Sequence, residues 1–229
     1  MNTDTNDIFN SEFSHRYDAS NSRFSAINGN LHFLITLLLS DLPIDAHILC
    51  VGVGTGTEII YLASMNPDWR FTGIDPSPDM LEVCASKLEQ AEIKHRCTLI
   101  EGYLENVPDT KVYDAIICLL VTHFIQLNDR GGIYHQMAAR LRTPGRLVVA
   151  EIAGNIDADN FDEQLANWAI MQAISNPNMP TLDDLRNLLK KRLLLLPPEK
   201  TEKLIINAGF LPPYHFFQSL LIHAWVAKK

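Results

Sequence analysis

The sequence predicts an α/β fold built on a doubly wound parallel sheet, and three observations predict it. Short apolar runs alternate with helix-period stretches from residue 47 to residue 154. The first of those runs, His47-Ile-Leu-Cys-Val, ends in the turn Gly52-Val-Gly54-Thr-Gly56. Beyond Gly209 the alternation gives way to two strand-like runs with no helix between them. Repeated strand–helix alternation is the pattern of βαβ units, which pair their strands in parallel and cover both faces of the sheet with helices.

Residues 1–30 are rich in Asn, Ser and Asp, and residues 31–42 carry apolar side chains at a density that predicts a leading helix. HILCVGVG is strand one, residues 57–64 a helix closed by Asn66 and Pro67, and WRFTGID strand two. PSPDMLEVCASKLEQA opens on prolines as a helix does, HRCTLIEG is strand three and YDAIICLLV strand four. Residues 132–142 are predicted as a helix stopped by the turn Thr143-Pro144-Gly145, with RLVVAEIAG as strand five. Residues 157–199 break the rhythm with two helix-like stretches around SNPNMP, which predicts an inserted helical cap. Residues 201–208 are again helical, Gly209 is a helix stop, and strands follow around residues 215–217 and 220–227. The expected organisation is one domain of 229 residues: a leading segment 1–42, a core 43–154, a lid 155–200, and a last helix and strands 201–229.

Hydrophobic residues make up 47% and charged residues 20% of the chain, the usage of a folded globular protein. A net charge of -8 disfavours non-specific attraction to a phosphate backbone and favours a small-molecule partner over nucleic acid. The one compact basic strip is Lys190, Lys191 and Arg192. Cys50, Cys84, Cys97 and Cys118 show no C-x-x-C spacing and read as thiols of a reducing compartment. The start MNTDTNDIFN lacks the basic and apolar parts of a secretory signal, and the apolar runs are too short to span a bilayer. A cytoplasmic location without membrane contact is expected.

The glycine turn lies directly after a strand and before a helix, where the backbone must bend sharply and approach a ligand. Alone, such a turn serves dinucleotides as well as single nucleotides. Asp75, at the end of strand two and 19 positions after Gly56, has the placement of an acid that accepts hydrogen bonds from ribose hydroxyls, or that caps the helix behind it. The dinucleotide fingerprint asks for glycine where Thr57 stands, which favours the single-nucleoside cofactor.

From about residue 42 to its end, the chain resembles the class I S-adenosylmethionine-dependent methyltransferases. The resemblance rests on ILCVGVGTG, GIDPSPDML, YDAIICLLVTHFI, LRTPGRLVVAE and INAGF, in that order. It implies a Rossmann-like, seven-stranded, doubly wound sheet with an antiparallel C-terminal hairpin, flanked by helices, plus the helical cap. It implies S-adenosyl-L-methionine as cofactor, with Gly52, Gly54 and Gly56 against the methionine and ribose and Asp75 on the ribose hydroxyls. Ser77 and Met80 would border the adenine, Gly102, Tyr103 and Leu104 would meet its edge, and Leu119 would lie near the amino group. Tyr17 resembles a tyrosine that closes over the cofactor in relatives. Two positions depart from the family pattern: Cys50 replaces an acid near the end of strand one, and Tyr103 replaces an acid after the glycine of strand three. THFI, the inserted helices and HFFQ are also similar to tRNA wobble-uridine enzymes that use a carboxylated form of the cofactor.

Methyl transfer from a sulfonium is an in-line displacement that needs alignment and exclusion of water, and a base only where the acceptor must lose a proton. His123, just beyond strand four, is the candidate base, or packs at a helix start. Glu151, ending strand five, also faces the ligand side of such a sheet. No metal-ligand spacing such as H-E-x-x-H is present. Substrate choice is expected to lie in the leading helix and the insertion, whose Trp168, Met171 and Met179 either line an apolar pocket or pack within a helix pair. The expected activity is methyl transfer to a small molecule. A tRNA-modifying methyl or carboxymethyl transferase, an inactive S-adenosylmethionine-binding protein and a nicotinamide oxidoreductase are the alternatives, and a homodimer is compatible with the sequence.

Overall fold

The computed structural model describes residues 24–175, 181–191 and 193–229. Seven strands form one sheet in the order β3-β2-β1-β4-β5-β7-β6. The strands are β1 (His47–Val51), β2 (Arg70–Asp75), β3 (Cys97–Glu101), β4 (Tyr113–Leu119), β5 (Leu141–Ile152), β6 (Tyr214–Ser219) and β7 (Ile222–Lys228). β1 to β5 pair in parallel, and β7 runs antiparallel between β5 and β6. The order reverses at β1 and β4, and a crevice outside the carboxyl ends of the strands at such a switch is where α/β sheets bind ligands.

β1, β2, β4 and β7 are buried almost throughout, the edge strands β3 and β6 much less, and the inner side chains alternate between two cores. Ile48 and Cys50 join one core with side chains of α1 (Ser25–Leu38), α2 (Thr57–Met65), α3 (Pro78–Gln90), α5 (Phe161–Ser175) and α6 (Leu182–Lys191). Leu49 and Val51 join the other with α4 (Leu127–Arg140) and α7 (Pro198–Asn207). Each fully buried aliphatic side chain contributes about 1.5–3 kcal/mol.

The observed boundaries correct the sequence expectations in three places. α1 starts at Ser25, six residues earlier than the apolar run suggested, and ends at Leu38. α4 begins at Leu127 and takes Gly131 and Gly132 into its second turn, although each glycine weakens a helix by about 1 kcal/mol. β5 begins at Leu141 and absorbs Thr143-Pro144-Gly145 as an irregularity: Tyr113 pairs with Leu141 and then Ala115 with Arg146. Thr143–Pro144 is a cis peptide.

The inserted helices α5 and α6 pack against each other. Arg186 of α6 pairs with Asp162 and lies over the Phe161 ring at 5.5 Å. α6 opens on a reciprocal cap, Asp184 N–H to Thr181 Oγ1 at 3.2 Å and Thr181 N–H to Asp184 Oδ2 at 3.1 Å. Trp168 and Met171 are buried in the first core, so they hold the helices to the sheet. Met179 lies outside the described residues.

Candidate functional site

The glycine turn is stitched to the neighbouring strand. Gly52 N–H and Val53 N–H both donate to Ile74 O, at 2.8 and 3.0 Å. Gly52, Gly54 and Gly56 have φ of 67°, 51° and 74°, a region that side chains enter at a cost. A Cβ on Gly56 would sit 2.5 Å from Cys84 Sγ and one on Gly52 would strike Val121, so these two glycines let the chain pack. A Cβ on Gly54 would meet no heavy atom within 4 Å. The turn is therefore open to a ligand at Gly54, and that opening fits an adenosyl group lying against bare backbone.

Asp75 borders the opening. Its Oδ2 accepts from Gly54 N–H and its Oδ1 from Ser77 N–H, each at 2.9 Å. Burial pushes its carboxyl up, and these two bonds pull it back. Each carboxylate oxygen keeps a further acceptor direction, which is the chemistry that paired ribose hydroxyls require. Asp75 does not cap the following helix. Ser77 does, accepting Met80 N–H at 3.3 Å, and both Ser77 and Met80 are buried.

Asp75 pairs in register with Glu101, so the β3 tip lies beside the β2 tip. There Gly102 N–H donates to Asp75 O at 3.0 Å, with φ of 134°. Tyr103 N–H bonds Asn106 Oδ1 at 2.9 Å, and Leu104 is buried. Leu119 ends β4, one residue past Cys118, which pairs with Val51. The structure thus gathers Gly52 to Gly56, Asp75, Ser77, Gly102 to Leu104 and Leu119 at the carboxyl tips of β1 to β4. Tyr17 lies outside the described residues.

Cys50 is buried in the same core as Val53, Cys84 and Ile117, and burial drives its thiol well above the ordinary range. The acid nearby is Glu58, in the first turn of α2, which the sequence reading passed over because such a position ordinarily answers the helix dipole. Burial pushes Glu58 up to about 7, against its own backbone hydrogen bond and Lys87, with Asp75 raising it further. A carboxyl at about 7 when folded and 4.5 when unfolded contributes stability below pH 4.5 that is lost as pH rises through 7. His32 and His223, each pushed down to about 4 chiefly by burial, act in the opposite sense, losing stability as pH falls below 6.5. Comparing variants isolates Glu58: Glu58→Gln should raise Tm at pH 8 by about 3–8 °C more than it does at pH 5. Equal shifts at both pH values in a thermal scan would place the charge elsewhere.

Beyond β4 the chain enters a 3-10 turn, Thr122–Phe124, that ends before α4. His123 therefore does not start a helix. Its Nδ1 lies 3.0 Å from Glu151 Oε2, and His123 N–H donates to the same oxygen at 3.0 Å. Thr122 N–H donates to Glu151 Oε1 at 3.1 Å, while Thr122 Oγ1 meets the Tyr134 hydroxyl at 3.2 Å. The His123 and Glu151 side chains are buried, at 2% and 3% exposure. A carboxylate at Nδ1 makes that nitrogen the donor and leaves Nε2 as the basic lone pair. Among the described residues no group hydrogen-bonds Nε2. Arg130, also buried, gives its guanidinium to carbonyls of the same turn.

Elsewhere, a surface hollow of about 330 Å³, lined by Leu42, Ile44, Met65 and Trp69, lies where the chain enters β1 and β2, remote from the glycine turn. Among the described residues no group of three or more His, Cys, Asp or Glu is placed to hold a metal ion, and no helix is long and apolar enough to cross a membrane.

Sheet order, glycine turn and ribose-type acid together define a class I methyltransferase fold. A methyltransferase-domain family matches residues 48–145. The chain is 28% identical over 203 residues to a carboxy-S-adenosyl-L-methionine synthase of Campylobacter jejuni, covering 87% of this chain and 84% of that one. Its fold matches a Nostoc punctiforme protein assigned to the O-methyltransferases, with TM-score 0.68 at 18% identity. That match covers 96% of this chain, and this chain spans only 59% of the Nostoc protein. A Methanococcus maripaludis protein assigned to the S-adenosyl-L-methionine-dependent methyltransferases matches with TM-score 0.67 at 15% identity, over 96% of this chain and 94% of that one. Residues 48–145 thus carry a methyltransferase domain, and the fold is that of the class I S-adenosylmethionine-dependent methyltransferases, with some similarity in sequence to the carboxy-S-adenosylmethionine enzymes.

Proposed function

We propose that the protein transfers a methyl group from S-adenosyl-L-methionine to a small-molecule acceptor by in-line displacement, with His123 as the base. The cofactor is S-adenosyl-L-methionine, and the observation that carries the reading is the bare backbone at Gly54 beside a carboxylate bonded to the Gly54 N–H. Gly52 to Gly56 would hold the methionine and ribose, Asp75 the ribose hydroxyls, and Met80, Tyr103 and Leu104 the adenine. When bound, the cofactor supplies an activated methyl group on a cationic sulfur. Glu151 keeps the His123 proton on Nδ1, so that Nε2 can take a proton from an acceptor hydroxyl or ammonium. The chain's charge of -8 supports a small molecule over nucleic acid, and the helices α5 and α6 are the elements we assign to acceptor choice.

A thermal scan with excess ligand tests the cofactor. S-adenosylhomocysteine should stabilise by about 3 kcal/mol at a hundredfold excess over its Kd, raising Tm by several degrees, while NAD and NADP leave it unchanged. The reverse ranking would reject the reading. The similarity to the Campylobacter synthase, spread over 87% of this chain, favours a second reading in which the protein makes or uses a carboxylated cofactor. Mass spectrometry of ligand retained on the purified protein separates the two, since that cofactor is heavier by one carboxylate.

A further inference from the structure

Arg130 occupies the first turn of α4, where a cation opposes the helix dipole, and its side chain is nonetheless 3% exposed. Its hydrogen bonds explain the placement. Nη2 donates to His123 O at 3.1 Å and to Ile125 O at 3.0 Å, and Nε donates to Ile125 O at 3.3 Å. The same guanidinium reaches the segment leaving α6, with Nη2 to Leu193 O at 3.3 Å and Nη1 to Leu194 O at 3.1 Å. One planar fork thus grips the His123 turn and a segment more than sixty residues further along the chain.

The far side of that segment is tied as well. Leu196 bridges Ala153 in parallel, and Gly154 N–H donates to Leu196 O at 2.9 Å. Ala153 lies two residues past Glu151. The strap between α6 and α7 is therefore fastened at Arg130, on the His123 side, and at Ala153 and Gly154, on the Glu151 side. Leu194 is held at φ of 45°, a conformation that a branched side chain keeps only where surrounding bonds impose it.

We propose that Arg130 is a positioning residue that locks the exit of the helical pair to the His123 turn, so that the base is assembled only while α5 and α6 are seated. The proposal rests on the reading of His123 as the base. Its physical core, a coupling between strap and imidazole, is measurable without any acceptor. A cap that shifts outward pulls on residues 193–196, and Arg130 passes the displacement to the His123 carbonyl. The dyad then loses its alignment together with the cover over the site, so proton abstraction and exclusion of solvent are switched by one contact.

The test uses the full chain labelled with nitrogen-15 histidine. In wild type, His123 Nδ1–H held by Glu151 should give a downfield, slowly exchanging proton signal. In Arg130→Met that signal should broaden away, and amides of residues 193–196 should exchange at least about tenfold faster while the amides of β1 and β4 keep their protection. Arg130→Lys keeps the charge and loses the fork, so it should show the same two effects in a chain of near-native Tm. It is read by the same criteria where the methionine variant does not fold. With an acceptor in hand, Arg130→Lys lowers kcat and leaves S-adenosylhomocysteine affinity unchanged. An intact Nδ1–H signal in Arg130→Lys would overturn the proposal, as would faster exchange spread evenly over the whole sheet. Should His123→Ala keep full turnover while the Nδ1–H coupling is observed, the base assignment fails and the coupling stands.

Discussion

His123→Ala lowers kcat by about a hundred- to ten-thousandfold and leaves S-adenosylhomocysteine affinity within about twofold. The first half follows from the removal of an imidazole that a buried carboxylate orients at the carboxyl ends of β4 and β5. The second follows from position, since the glycine turn and Asp75 sit at the tips of β1 and β2, where Asp75 holds Gly54 N–H and Ser77 N–H and Ile74 O holds Gly52 and Val53. Glu151→Gln should cost nearly as much. With its oxygen on Thr122 N–H, the glutamine turns its NH2 toward His123 N–H and Nδ1 and drives the imidazole proton to Nε2; with its oxygen on the His123 side, it opposes its NH2 to Thr122 N–H instead. The same reversal predicts a changed pH profile in Glu151→Gln, which a purely structural loss would not produce. Single-turnover kinetics with saturating cofactor measures both variants. A His123→Ala protein with wild-type kcat would show that the acceptor arrives already deprotonated.

Asp75→Ala weakens S-adenosylhomocysteine binding by about 1–3 kcal/mol, or about 5- to 150-fold. Two losses add. Charge-assisted bonds to the ribose vanish, and Gly54 N–H and Ser77 N–H lose their acceptor, so the turn loosens where its backbone must stay open. Asp75→Asn separates them: the amide can satisfy one N–H, but presents its own donors to the other, so affinity should fall between the two. Calorimetric titration of the three proteins reads the order, and equal affinities would mean that the ribose lies elsewhere.

What could be read in the sequence was whatever chemistry lies in a short contiguous stretch. The glycine turn and Asp75 are each spelled within a strand and the residues after it, and a strand end followed by a helix start leaves them one arrangement. The two terminal strands were legible for the same reason. The α4 start was not, because Gly131 and Gly132 carry the signal of a break while the helix around them is held by Tyr134 and Met137 in the core. Nor was the β5 start, where Pro144 marks a turn that the register with β4 runs past. His123 and Glu151 were visible as single residues. Their contact depends on Leu119 pairing with Ala150, a cross-strand register that no local pattern states. Arg130 lies outside the helix predicted over residues 132–142, and its burial appears only once the strap returns from α6.

The most direct measurement is a crystal structure of the protein grown with S-adenosylhomocysteine. The expected arrangement has both ribose hydroxyls within hydrogen-bond distance of the Asp75 carboxylate, with the homocysteine backbone passing over Gly54. An adenosyl group bound elsewhere, or a Gly54 opening closed by side chains with no room for a nucleoside, would contradict it.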